Sequence, residues 1–491
     1  MNNQNMFPLR MLGFGFYWAW LFLTCVSPSL ILDQEPVLGL PFEAAELVFR
    51  LIFIGAILVV SKKASSDFVR RLLFVLSLAC GLLSSILVVV GIAELSVVTV
   101  ILLGMTDACM FMLWMCFFGN NHIGETAIYL ASSYALGAVV CILISALYHP
   151  IALGCTLLLP IFSALAFRLS HKSHGGDEED EREYVSEGSL SFRLFPFIRR
   201  ISLALCMYAL VFSLVTSVIA SNGLESYLVG PFVEAPCCIV VGLALAIAFH
   251  NLRDIQMVYR IYRFVPLALS LGLACLLFQI SSMTTVSCFL VMSAYLAFEI
   301  LALNDLCNEV KLRGLSPVNV FGRARAMITL GMLLGWLLGL LSQTVSHLLS
   351  PPLFAVVLGV PVVVIASTLV FTEKEIFAVR SATDERQIIE DASNAESAGT
   401  RGRGANDPSQ ENDITSFGAA WNLSNREKDV LPLLLRGKTA TYISEKLYIA
   451  PGTTKTHIYN IYRKLGVHSK MEMFDMFEDY KSRNGTDDGL R

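Results

Sequence analysis

Residues 44–91 read AAELVFRLIFIGAILVVSKKASSDFVRRLLFVLSLACGLLSSILVVVG. Two apolar runs, 44–60 and 69–91, meet at a short junction that carries Lys62, Lys63, Arg70 and Arg71. A helix needs about 20 mostly apolar residues to cross a hydrocarbon core about 30 Å thick, and both runs supply them. Lys and Arg beside short loops stay on the cytoplasmic side. The stretch therefore reads as a membrane hairpin whose turn faces the cytoplasm.

The same filter applied outward gives spans at 11–32, 44–60, 69–91, 96–118, 126–148, 151–169, 201–220, 232–249, 264–280, 283–303, 327–349 and 352–371. These are twelve spans in two groups of six. A polar stretch, 171–200, divides them and reads as a central cytoplasmic loop; it holds the acidic run GDEEDERE from Gly176 to Glu183. With the N-terminus inside, the inner loops take Lys172, Arg193, Arg199, Arg200, Arg253, Arg260, Arg263, Lys311, Arg313, Arg323 and Arg325. The outer loops take Asp33, Glu35, Glu94 and Glu225 and no Lys or Arg. An even number of crossings leaves both termini in the cytoplasm. A bacterial plasma (inner) membrane would place the C-terminus beside DNA.

Composition agrees with lipid burial. Of 491 residues, 55% are hydrophobic and 15% charged, and the mean hydropathy is +0.63, which excludes an ordinary water-soluble globule. The formal net charge of -4 averages two unlike regions and says nothing about nucleic acid. All twelve Cys lie between Cys25 and Cys307, in or beside apolar segments, against a disulfide framework. Adjacent Cys237 and Cys238 have no His or acidic partner at ligand spacing, so packing is expected of them and no metal site. His122, His149 and His347 are scattered without metal spacing. The first apolar run is long and lacks a small-residue cleavage site, as a retained helix does. No phosphate-binding Gly loop, nucleophile elbow or paired catalytic carboxylates occur in the polar parts, so no enzyme activity and no cofactor are expected.

After Phe371 the apolar spans stop. Residues 372–420 are rich in Ser, Ala, Gly, Asn and Asp and read as a flexible linker. About 40 such residues have a typical end-to-end distance of roughly 35 Å. From Trp421 a helical pattern resumes and runs to about 484, leaving 485–491 as a disordered tail.

This last region reads LSNREKDVLPLLLRGKTATYISEKLYIAPGTTKTHIYNIYRKLGVHSKMEMFDMF from Leu423. Ser424 and Glu427 form a capping box that opens a first helix, and Gly437 closes it. Thr439 caps a short second helix with Ile443 and Leu447 inward. A turn through Ile449 and Ala450 leads to a third helix from Pro451 to about Leu465, with proline at its favoured first position. Ser469 and Glu472 open a fourth helix through Met473, Phe474, Met476 and Phe477. Two helices joined by a tight turn, the second presenting small polar and basic residues, fit a DNA major groove. Ile458, Ile461 and Leu465 point inward, while Lys455, Thr456, Tyr459, Asn460 and Arg463 form the opposite stripe. Lys reaches guanine acceptors, the Thr methyl a thymine methyl and Asn adenine. Thr453, Arg463 and Lys464 suit phosphates.

These residues carry a specific resemblance. Together with Arg426, Val430, Leu431, Gly452 and Val467, the segment from Trp421 to Tyr480 resembles the LuxR-type helix-turn-helix domain. The resemblance implies that the helix at 451–465 enters the major groove through Thr453, Thr454, Lys455, Thr456, His457, Tyr459, Asn460, Arg463 and Lys464. It also implies that the fourth helix, 470–480, mediates homodimerisation. Three departures stand out. Pro432 inside the first helix should kink it or cost about 3 kcal/mol. Ala450 replaces the usual Ser cap, a loss of about 1 kcal/mol. Thr454 stands where a core Val is usual. No receiver domain with a phosphorylatable Asp precedes the motif.

Six plus six helices around a central loop resemble the major facilitator superfamily over roughly 11–371. That family's loop signature is only echoed by SKKASSDFVRR at Ser61 to Arg71, without its Gly. Charges inside spans are expensive and mark sites. Glu46 and Arg50 lie one turn apart and can form a plain intrahelical pair. Asp107, near the middle of its span, needs a cavity, a donor or a proton, and Arg50 is a candidate donor. Arg50, Asp107, Trp114, Tyr134 and Glu299 are the expected lining of a ligand cavity. Gly331, Gly335 and Gly339 have the spacing of close helix packing. The fold expected is all-α: a twelve-helix bundle followed by a four-helix DNA-binding module. The function expected is a one-component membrane regulator with double-stranded DNA, the lipid bilayer and a small molecule as partners. The alternative is a transporter with a regulatory DNA-binding tail, and a third reading is an inert tether. The acidic run at Asp177 to Glu183 can compete with DNA for Lys455 and Arg463.

Overall fold

A computed structural model describes residues 9–25, 36–37, 39–90, 93–120, 125–173, 196–221, 231–251, 255–370, 414, 416–421, 423–435, 443, 446–447, 451–465, 467 and 470–484. Two compact units divide at Thr372 and Glu373.

The first unit contains twelve helices among the described residues: α1 (Gly13–Cys25), α2 (Phe42–Ser61), α3 (Ser66–Val90), α4 (Ser96–Asn120), α5 (Glu125–Ser145), α6 (His149–Ser173), α7 (Pro196–Ser221), α8 (Pro231–Asn251), α9 (Ile255–Leu276), α10 (Ser281–Arg313), α11 (Pro317–Thr344) and α12 (Pro351–Val370). Nine of these described helices are long and apolar enough to cross a membrane. α2 packs on α11 and α5 on α8, which joins the first six helices to the last six. Bulky apolar side chains such as Ile52, Val75, Leu83, Ile247, Leu267, Val357 and Val364 face outward. In water such a surface would be a liability; in hydrocarbon it is the required one.

Two departures from the sequence expectation bear on the site. α10 runs to Arg313 instead of ending at 303, and Gly314 then stops it in the left-handed region (φ 62), its N–H bonded to the Val310 carbonyl. α11 starts at Pro317, a first-turn proline, ten residues before the expected 327. Arg325 is therefore no loop cation. It sits more than two turns inside α11 and is 5% exposed. Arg323 likewise belongs to α11, Lys311 and Arg313 to the last turn of α10, Arg260 and Arg263 to α9, and Arg199 and Arg200 to the first turn and a half of α7. The acidic run at 176–183 lies outside the described residues.

Close helix approach sets the interior. A Cβ on Gly331 would stand 2.1 Å from the Cys206 carbonyl oxygen, one on Gly335 2.4 Å from that of Leu210, and one on Gly339 2.2 Å from Ser217 Oγ. The three glycines thus seat α11 against α7, and Ser213 Oγ donates to the Met332 carbonyl across the seam at 2.6 Å. On the other side, Gly104 of α4 meets the α2 backbone, where a Cβ would lie 2.7 Å from Arg50 N and 3.1 Å from Glu46 O. That contact draws α4 onto the turn of α2 that carries Glu46 and Arg50. Cys237 and Cys238 are buried, and the Cys237 thiol reaches the Phe289 carbonyl at 3.9 Å.

The second unit has its own core of Ile414, Phe417, Leu423, Val430, Leu431, Leu434, Ile443, Ile461, Leu465, Met473 and Phe477, among others. Its described helices are a short one through 416–420, α13 (Asn425–Leu435), α14 (Pro451–Leu465) and α15 (Lys470–Asn484), and Ile443, Lys446 and Leu447 before α14 are helical. Phe417 is fully buried, its ring 4.5 Å from Trp421 and 5.3 Å from both Phe477 and Tyr480. Among the described residues the packed module therefore includes Ile414 and Phe417, which fall inside the expected 372–420 linker. α13 continues through Pro432 without breaking, because Leu431, Leu433 and Leu434 on either side are anchored in the core.

Candidate functional site

On α14 the buried side chains are Thr454, Ile461, Tyr462 and Leu465, with Ile458 half-buried. They form one stripe at helical spacing. Burial raises the Tyr462 phenol to about 12, so it remains a neutral core group. By register Thr456, Tyr459, Asn460 and Arg463 fall opposite that stripe, and Thr453 and Lys455 flank it. The side chains of Thr453, Lys455, Thr456, Tyr459 and Arg463 lie outside the described residues. Asn460 and His457 are half-buried.

Two of the residues expected at DNA make contacts within the module. Thr454 is fully buried, in the place of the core Val that it replaces. Lys464 directs its Nζ to Glu427 Oε2 on α13 at 2.6 Å. Glu427 also closes the capping box, accepting from the Ser424 amide at 2.7 Å. Desolvation pushes its carboxyl up, yet the bonds from Lys464 and Ser424 outweigh it and hold Glu427 below the usual carboxylate range. Lys464 thus ties α14 to α13. The apolar side of the fourth helix is also committed: Met473 and Phe477 are buried in the module's own core, which leaves Phe474 and Met476 half-buried.

In the bundle, five charged side chains meet at exposures of 5% or less. Arg50 donates to both Glu46 oxygens, Nε at 3.0 Å and Nη2 at 2.6 Å, and its Nε also pairs with Asp107. Arg325 Nη2 holds Asp107 Oδ1 and Oδ2 at 3.0 Å each. Tyr17 Oη donates to Asp107 and accepts from Arg325 Nη2 at 3.4 Å. Arg325 lies 4.4 Å over the Phe111 ring, and its Nη1 stands 3.8 Å from Glu299 Oε1. Asp107 is a carboxylate with three donor groups, which compensates a burial that would otherwise be prohibitive. The network draws on α1, α2 and α4 from the first half and α10 and α11 from the second. Of the expected cavity residues, Arg50, Asp107 and Glu299 share it through Arg325, and Tyr134 interacts electrostatically with Glu299 and Arg325. Trp114 does not join them: its indole donates to Ser163 Oγ on α6 at 3.0 Å, among Phe117, Phe118 and Phe167. Sequence reasoning missed Arg325 and Tyr17. The Ser-Pro pair at 316–317 was a usable start signal for α11 and would have placed Arg325 inside the membrane; nothing singled out Tyr17 among the aromatics of α1.

Residues 421–477 match the family described as bacterial regulatory proteins, luxR family. The spore germination protein GerE of Bacillus subtilis is 38% identical over 50 residues, 10% of this chain and 68% of GerE. This chain belongs to the LuxR family of bacterial regulatory proteins. The Probable transcriptional regulatory protein NarL of Mycobacterium tuberculosis is 44% identical over 48 residues, and the Fimbriae Z protein of Escherichia coli 41% over 59. These LuxR-type matches cover 10% and 12% of the chain and only 22% and 28% of those relatives' own length. Over the other unit, the solved structure of a bacterial homologue of the iron transporter ferroportin, outward-facing with soaked iron, aligns with a TM-score of 0.55 at 13% identity, covering 74% of this chain and 96% of that one. The human organic anion transporter MFSD10 gives 0.50 at 14%, covering 74% and 98%. At such identities the likeness is one of fold alone: a helical bundle with the fold of these transporter structures shares the chain with a LuxR-type DNA-binding domain.

Proposed function

We propose that this protein is a membrane-anchored one-component transcriptional regulator, in which the bundle senses a small molecule and the LuxR-type domain binds a particular DNA sequence. The observation that carries the reading is the union, in one chain, of a DNA-binding module with a bundle whose two halves are joined at the centre by buried ion pairs. Such a junction has discrete arrangements, and a ligand that favours one of them shifts the equilibrium by its differential affinity. Lys455, Thr456, Tyr459 and Asn460 read base edges, and Thr453 and Arg463 hold phosphates. The basic flanks of the spans keep both termini in the cytoplasm of a bacterial cell, where DNA is within reach of the module. Two modules pair through the residual apolar face of α15 at Phe474 and Met476, because a single module buries little surface and two half-sites raise affinity.

The test is binding of the full chain, reconstituted in nanodiscs, to a genomic DNA library at stated salt, beside the 411–491 fragment that retains Ile414 and Phe417. Selective enrichment of a short sequence, lost in Asn460→Ala, supports the reading. Uniform, purely salt-dependent binding to any duplex would remove it. Solute uptake by the same protein in vesicles would favour the transporter alternative.

A further inference from the structure

The charges of the buried network do not balance. Glu46, Asp107 and Glu299 supply three carboxylates, Arg50 and Arg325 two guanidiniums, and all five are buried. Asp107 is held by both arginines and by Tyr17, and Glu46 by two bonds from Arg50. The cation nearest Glu299 among the described residues is Arg325, whose Nη1 stands at 3.8 Å, beyond hydrogen-bonding length, while its Nη2 is engaged by Asp107; another neighbour is the neutral Tyr295 hydroxyl. Of the three carboxyl groups, Glu299 is therefore the one without a close cation.

Its surroundings are aromatic. Tyr134 and Tyr295 both interact electrostatically with Glu299. Their hydroxyls are buried and make no hydrogen bond of normal geometry among the described residues. Tyr295 stacks on Phe212, centroids 4.8 Å apart and planes within 7°, and Tyr134 lies 4.8 Å from Trp18. A buried carboxyl group beside electron-rich rings and phenols without a hydrogen bond of normal geometry is the environment that recognises an ammonium group, since ring faces attract cations and gain strength when water is excluded. An anion would meet the uncompensated carboxylate, and a neutral apolar molecule would leave the phenols unsatisfied.

We propose that Glu299, Tyr134 and Tyr295, with Trp18 and Phe212 behind them, form a binding site for a small organic monocation, an amine or quaternary ammonium. The proposal names the ligand class for the sensing reading above and rests on it. The cation completes the charge balance, and because Glu299 lies on α10 and Trp18 and Tyr134 on α1 and α5, its binding draws the two halves together.

The experiment titrates the full chain in nanodiscs with benzyltrimethylammonium, with benzyl alcohol and benzoate as neutral and anionic counterparts, reading tryptophan fluorescence and thermal stability. A saturable response to the cation alone is expected, weakened by at least about tenfold in Glu299→Gln and severalfold in Tyr295→Phe, which keeps the ring. An unchanged response in both variants overturns the proposal. So does a fluorescence change that acidification produces by itself through Glu299 with no cation response, since a proton then supplies the balance. DNA affinity measured in parallel separates the two levels: cation binding that leaves DNA affinity unchanged supports the site and refutes the sensing reading, and a DNA response to benzoate or benzyl alcohol without cation binding does the reverse.

Discussion

The same chemical device, a carboxylate held by a cation, appears in both units with different surroundings and different consequences. In the bundle, Asp107 and its two arginines are buried where no water can replace a lost partner. In the LuxR-type domain the Lys464 side chain is 30% exposed, so the pair with Glu427 sits at the margin of the core. Removing one member of a fully buried set strands a charge, whereas at a margin water substitutes in part. The inner pairs therefore decide whether the bundle holds its arrangement, and the outer pair adjusts how one helix leans on another.

The sharpest way to break this contrast is Asp107→Asn. It leaves Arg50 with Glu46 alone and Arg325 with a distant Glu299, and should destabilise the bundle by roughly 3–5 kcal/mol. Thermal unfolding in detergent reads this directly, and adding Arg325→Gln should recover part of the loss. If the single variant unfolds like the parent, the network is not the structural centre described above. Next in size is Phe417→Ala. Truncating a fully buried ring that touches Trp421, Phe477 and Tyr480 should cost about 3–4 kcal/mol in the 411–491 module. A 421–491 fragment should show a comparable deficit, and equal chemical denaturation midpoints for the two lengths would return residues 414–420 to the linker.

How legible each region was follows from the sequence distance between partners. In the LuxR-type domain the Ser424 and Glu427 capping box, the proline opening α14 and the 3.6-residue stripe are local signals, and each lies where the spacing placed it. Phe417 was hidden because small and polar neighbours masked one aromatic whose partners, apart from Trp421, come some 60 residues later. In the bundle, twelve apolar runs were plain, but Asp107 is completed by Tyr17 and Arg325, 90 and 218 positions away. Hydropathy averages over such residues: a lone Arg at the edge of an apolar run is read as a loop charge. The Asp107–Arg50 pairing was reachable only because Glu46 and Arg50 advertise themselves one turn apart.

A smaller effect is expected at Glu427. Its folded-state carboxyl is held below the usual range, so its contribution is fully present above the unfolded value of about 4.3 and is lost as pH falls through the lower folded value. Glu427→Gln should lower the stability of the module by about 1–2 kcal/mol at neutral pH. Wild type and variant should converge under acid, and a deficit that persists there would show that packing, and not charge, is responsible.

The smallest effect sharpens the comparison most. Lys464 and Lys455 lie nine residues apart on one helix, and composition cannot tell a phosphate ligand from an internal strut. With Nζ committed to Glu427, Lys464 should contribute little counterion release. Lys464→Ala should then leave the slope of log affinity against log salt nearly unchanged while lowering module stability. Lys455→Ala should reduce that slope by about one unit and leave stability alone. Should Lys464→Ala instead flatten the slope, the contact with Glu427 is exchanged for phosphate when DNA arrives, and the strut becomes a switch between two partners of like charge.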